Sequence, residues 1–339
     1  MKLFIILFIL IFLLKILFFG YRKDLSIKEN FKNNSNHSEY FEYFKYKLSN
    51  KKIIEEKILS NKNFIGSCSY FFENIFILNN TIELKKLINN QKMYIVPIDI
   101  LKKKNNPLYN DNLSNIIFID YFSFYFFKNK RNYNLYSLKN KKIAILYDDE
   151  ISFYFLKKLL SFFKIKNITI KKMNFNSILF DLDQLNIDIF FMVSTKFNKY
   201  ISYCKKKYNT FDIKNLNTKN LSFFFEDIEL NNHILSIPGY LVTSRNTNET
   251  YIYNFLNFIK KYFGYLVNLE LLPSEFKHLF RDNIIENHQG LNKFMLENGI
   301  ISEVNNKLCN LFAGRKKCTN ELILKYDNNK LFGLENTIN

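Results

Sequence analysis

The chain has 339 residues, with no Trp, eight Gly and four Pro, and a formal net charge of +18. That length predicts a large core divided between two lobes or domains. Lys, Asn, Ile, Phe and Tyr are used as in a very AT-rich genome, and the lysines are scattered without a nucleic-acid module, so the charge reads as a solvated surface and no nucleic-acid partner is expected.

Residues 1–21 read as a signal peptide or signal-anchor. Leu3 to Phe19 is apolar except for Lys15, and seventeen residues cover roughly 25 Å against the ~30 Å hydrocarbon core. No small-x-small cleavage site stands near Gly20, which favours an uncleaved anchor holding the protein on the membrane. The expected location is therefore membrane-anchored or exported on the extracytoplasmic face, with an organelle of a plastid-bearing parasite as the alternative. Residues 22–63 are basic and rich in Asn and Lys, and read as a tether, or as a loosely helical spacer around Tyr40 to Leu59.

The folded part is expected to open at Phe64-Ile65-Gly66-Ser67-Cys68-Ser69-Tyr70-Phe71. A strand ending in Gly-Ser-x-Ser before an aromatic-rich helix would place hydroxyls and free amides at a helix start, where anions bind; a plain N-cap is the simpler use of either serine. Thr81 to Asn90 is amphipathic, Met93 to Leu101 reads as a strand, a turn and a helix start, and Ile116 to Phe127 as one or two buried strands. Tyr136 to Tyr203 is the most regular stretch. Runs at 143–147, 168–173 and 187–193 read as strands, and 153–163 and 177–184 as helices. Strand, helix, strand, helix, strand with short connections predicts right-handed βαβ crossovers and a parallel sheet. Ligands of such sheets bind where strands end, which points to Tyr147 and Ser152 after the first strand and to Ser194 and Thr195 after the third.

Other chemistry is sparse. Cys68, Cys204, Cys309 and Cys318 have no metal spacing, and the last two could pair in an oxidising compartment. His37, His233, His278 and His288 form no metal pair, and Asp181, Asp183 and Asp188 read as a solvated helix edge. No phosphate loop, nucleophile elbow or kinase signature is present. No catalytic residue, metal or cofactor is expected.

The order of these signals resembles the TAXI branch of solute receptors of tripartite ATP-independent periplasmic (TRAP) transporters. The resembling phrases are Gly66 to Phe71, Leu84 to Asp99, Ser137 to Ala144, Leu185 to Ser194, Ser236 to Arg245 with the helix from Glu249 to Phe263, and His288 to Gly299. The resemblance implies a type II periplasmic-binding fold, α/β, with lobe I from 64–135 and 236–305, lobe II from 136–235, and a C-terminal tail from 306–339. Each lobe would carry a central, mostly parallel sheet. It implies a small organic solute, a carboxylate by family habit, clamped between the lobes and passed to a membrane permease, with His288 capping or packing near a turn. The implied ligand residues are Gly66, Ser67, Ser69, Tyr70, Asp99, Tyr147, Ser152, Ser194 and Thr195. The chain departs from the family at Tyr147-Asp148-Asp149-Glu150-Ile151-Ser152, where a Gly- and Ser-rich turn is usual. Three carboxylates suit a helix start but repel an anion by about 1–4 kcal/mol per close pair, which turns the expectation toward a cationic or neutral solute. The alternatives are a non-catalytic scaffold on a degenerate binding fold, or an enzyme on the same fold.

Overall fold

The structure, a computed structural model, describes residues 38–50, 62–79, 91–101, 112–129, 138–210, 228–231, 234–280 and 285–300, together with Leu221 and Phe225. The expected N-terminal anchor, the 81–90 helix, the 306–339 tail and Cys309 and Cys318 lie outside these residues. No helix among the described residues is long and apolar enough to cross a membrane.

In chain order the elements are α1 (Glu39–Asn50), α2 (Lys62–Phe72), β1 (Ile75–Ile77), β2 (Met93–Pro97), a 3₁₀ turn (Ile98–Leu101), β3 (Leu113–Lys128), β4 (Lys142–Leu146), α3 (Glu150–Phe162), β5 (Thr169–Met173), α4 (Phe175–Asp183), β6 (Ile189–Ser194), α5 (Lys199–Lys207), β7 (Asn209–Thr210), β8 (Glu229–Asn231), β9 (Ile234–Ser244), α6 (Glu249–Asn268), a second 3₁₀ turn (Phe276–Phe280) and α7 (Gln289–Glu297). The fold is α/β around one nine-stranded sheet in the order β1-β2-β9-β3-β6-β4-β5, with β7 on β3 and β8 on β9. The expected βαβαβ unit is present, with β4 between β5 and β6 and parallel to both. At the other end β1 and β2 are parallel too. Among the described residues, every antiparallel strand pairing involves β3 or β9.

Those two strands carry the architecture. The 16 residues of β3 extend over roughly 50 Å. Its first part pairs with β9 and its last part with β6, and Ser123 faces both Ser236 and Ser194 at the changeover. Register shifts between Asn115 and Ile117 and between Phe118 and Asp120 bend the ladder on the way. Across from the second shift stands Gly239, where a Cβ would lie 2.8 Å from the Asp120 carbonyl oxygen and 2.9 Å from the Phe122 ring. Only glycine lets β3 and β9 approach so closely.

The asparagine-rich composition finds a use at helix starts. Asn174, Asn198 and Asn248 accept from the amides of Ser177, Tyr200 and Tyr251 at the beginnings of α4, α5 and α6. His288 serves α7 likewise, its Nδ1 accepting from Gly290 N–H and its Nε2 lying 3.1 Å from the Thr247 carbonyl oxygen.

Two segments differ from expectation. Residues 64–71 lie within α2 rather than forming a strand and turn. Phe64, Cys68, Phe71 and Phe72 recur at helical spacing and are all buried, and that stripe outweighs the single Gly66 as a breaker. Residues 39–50, read as a tether or a loosely helical spacer, form α1, and this helix is packed into the body rather than spacing it. Tyr40, Phe41 and Phe44 are buried, the Tyr40 hydroxyl donates to the Leu271 carbonyl at 2.8 Å, and Lys47 meets Glu270 at 2.5 Å.

Candidate functional site

Two strand ends within the βαβαβ unit are the places where a ligand would be sought. After β4, Asp149 caps α3. Its carboxylate accepts from Ser152 N–H at 2.8 Å and from the Ser152 hydroxyl at 2.5 Å. The same Ser152 oxygen accepts from Val193 N–H at 2.8 Å, which ties α3 to β6. Burial pushes the Asp149 carboxyl up to about 6, against the pull of its Ser152 hydrogen bonds and of Lys172. The amides of Glu150 and Ile151 are directed to the carbonyl of Asn79, at 3.0 and 3.3 Å. Every group that could hold a solute anion at this helix start is therefore already engaged by the chain itself. Tyr147 is 68% exposed whereas Ser152 is fully buried, so these two expected ligand residues face opposite ways.

The first-lobe residues are dispersed. Gly66, Ser67, Ser69 and Tyr70 sit inside α2, whose rings at Tyr70 and Phe71 pack on Tyr251 of α6. Asp99 is buried and committed to α3, where Lys158 Nζ lies 2.5 Å away and the Tyr154 hydroxyl donates at 3.3 Å. The arrangement thus brings neither α2 nor Asp99 to the corner at 147–152.

The end of β6 is different. Ser194 and Thr195 are buried at 1% and 0% exposure, and neither Ser194 Oγ nor Thr195 Oγ1 has a hydrogen-bond partner. A buried hydroxyl without a partner forfeits its hydration, about 1–3 kcal/mol. Opposed residues of an antiparallel pair share a face, so Ser194, Ser123 and Ser236 form a row across β6, β3 and β9. Ser123 and Ser236 join hydroxyls at 3.0 Å. Against the next turn of chain lies Asp120, which accepts from Lys196 N–H at 3.4 Å and faces Lys196 Nζ at 3.7 Å. Burial raises the Asp120 carboxyl above its ordinary range, while Lys196 draws it down. Phe197 follows, edge-on to Tyr40 and Tyr43 of α1 at 4.7 and 5.1 Å.

Ser194 and Thr195 were legible from the strand-end rule. Asp120, Ser123, Lys196 and Ser236 were not singled out. The available signal was Asp120 itself, a carboxylate interrupting the apolar run from Ile116 to Phe127.

Among the described residues no group of three His, Cys, Asp or Glu is placed to hold a metal ion. Asp183 is engaged by Lys207 and Tyr208, and Asp188 by Lys141 and the Lys142 amide.

No protein-family model and no curated protein sequence matches the chain. Solved structures with a similar course include protein AF1704 from Archaeoglobus fulgidus, at 11% identity and TM-score 0.41 over 70% of this chain and 94% of that one. Others are the periplasmic aliphatic sulphonate binding protein SsuA from Escherichia coli, at 11% and 0.35 over 63% and 65%, and MatC from Rhodopseudomonas palustris with bound malate, at 11% and 0.37 over 56% and 72%. The fold assignment rests on the strand order and register of this chain.

Proposed function

We propose that the chain is a solute-binding protein, and that its site is the end of β6 where β3 and β9 meet, rather than the start of α3. The observation that carries this is the pair of buried, unpartnered hydroxyls at Ser194 and Thr195, next in the chain to Lys196, whose amide and ammonium meet the largely buried carboxylate of Asp120. In this reading the two ends of the sheet act as lobes, β3 and β9 are the crossings, and the solute is a small organic molecule. The order of the family-like phrases from Leu84 to Gly299 further supports a TRAP-type receptor of the TAXI branch, tethered to the membrane by residues 1–21 and serving a permease, although the first phrase, Gly66 to Phe71, is helix here. The described nucleophiles favour binding over catalysis. Burial raises the thiols of both Cys68 and Cys204, the latter to about 12, and His288 is spent as a helix cap.

The test is thermal-shift and calorimetric screening of the full chain against small polar solutes, with Thr195→Val alongside. A solute that stabilises the wild type and is lost in the variant is the expected result. A silent screen would turn the reading toward the scaffold alternative. That second reading has its own observation: the Asn79 carbonyl on the α3 amides and the Asp99–Lys158 pair already hold residues of the two presumed lobes together.

A further inference from the structure

Taking the β6 end as the site just proposed, we propose that its solute is an organic primary amine, and that the ammonium of Lys196 is the internal group it displaces from Asp120. Among the described residues, the groups around the Asp120 carboxylate are Lys196 with its own amide, the Tyr121 amide, Lys205, Tyr40, Tyr43 and Tyr125. Lys205 is turned to Tyr125, 3.4 Å from its hydroxyl and 4.7 Å from its ring centroid. Tyr40 and Tyr43 direct their hydroxyls to Leu271 and Glu270. That leaves Lys196 as the cation on Asp120, and it is held loosely. Its Nζ lies 3.7 Å from Asp120 Oδ1, its side chain is 36% exposed, and it rests 5.4 Å above the Phe197 ring. A contact of that length to a partly exposed lysine is weak, whereas the carboxylate can accept several short charge-assisted bonds.

The chemistry of the surroundings suits an ammonium. A carboxylate supplies the charge, an aromatic face supplies the cation–π attraction that Lys196 already samples, and Thr195, next to Lys196 in the chain, supplies a hydroxyl oxygen without a partner. An anion would meet Asp120 head-on. An amine exchanging with Lys196 leaves the local charge unchanged, brings a donor to an oxygen that has none, and releases the lysine toward solvent.

The experiment is titration calorimetry of the full chain with ethanolamine, putrescine and agmatine, and with acetate, succinate and glycerol as controls, for wild type, Lys196→Ala, Asp120→Asn and Thr195→Val. The amines are expected to bind wild type. Lys196→Ala is expected to tighten amine binding a few-fold by freeing the competent state, while Asp120→Asn weakens it about tenfold or more and the controls stay silent. Lys196 is exposed enough that Lys196→Ala keeps its fold, so the decisive arm does not depend on Asp120→Asn surviving. Unchanged or weakened amine binding in Lys196→Ala overturns the proposal, as does an acid whose binding needs Lys196. Binding of glycerol or an acid that is lost in Thr195→Val sinks the amine assignment and leaves the site standing, whereas silence of every probe sinks both.

Discussion

The ends of β4 and β6 are neighbours in one parallel unit and invite the same question, yet they answer it oppositely. At the end of β4 the chain supplies its own anion, Asp149, and its own carbonyl, Asn79, so the start of α3 is complete. At the end of β6 two hydroxyls remain buried without partners. A helix start is therefore no evidence of a site until its amides have been accounted for. What distinguishes a binding position is the polar group that the fold leaves unsatisfied.

Substitutions at the two corners should separate them, and the largest effect is expected at the first. Ser152→Ala removes the hydroxyl that serves both a buried carboxylate and the Val193 amide, so a loss of about 2–4 kcal/mol is expected in urea unfolding; a loss below half a kilocalorie would mean that the corner is not closed. Next comes the pH dependence of Asp149. Its folded pKa, about 6, lies above the ordinary aspartate value of 3.8, so the contribution is fully present below pH ~4 and is lost as pH rises through 6. Asp149→Asn has no charge to desolvate, and its stability relative to wild type should grow by about 2–3 kcal/mol between pH 4 and 7. A flat difference across that window contradicts the buried carboxylate. Beneath the β6 corner, Gly239→Ala would push a methyl against the Asp120 carbonyl and the Phe122 ring and should cost about 1–3 kcal/mol, read as a fall in Tm. The smallest effect has the opposite sign. Thr195→Val removes an unpartnered hydroxyl and should leave stability unchanged or raise it by up to about 1 kcal/mol, even as solute binding is lost. A substantial loss there would show that Thr195 has a structural partner and would erase the contrast.

The sequence made the βαβαβ unit plain, because the runs of β4 and β6 and the stripe of α3 are each dominated by one periodicity. It made β3 visible as one or two strands for the same reason. The reading failed where composition masked pattern. Gly66-Ser67 looked like punctuation although Phe64, Cys68 and Phe71 lie along one helix face, and the Glu and Lys residues of 39–50 hid the buried stripe of Tyr40, Phe41 and Phe44. Of the site, Ser194 and Thr195 were reachable from strand ends. The direction of Asp149, inward to Ser152 rather than outward like the exposed Asp148, depends on a rotamer and a contact from β6 that no local pattern encodes. Asp120 and Lys196 lie 76 positions apart, and only the pairing of β3 with β6 brings them together.

Because β3 exchanges one companion for another at Ser123, this long strand has a marked midpoint, and β9 runs beside its first part in the opposite sense. In the proposed reading, a guest at the end of β6 would sit against that midpoint, where both strands could respond to it. Deuterium uptake by the amides of 120–124 should register it first.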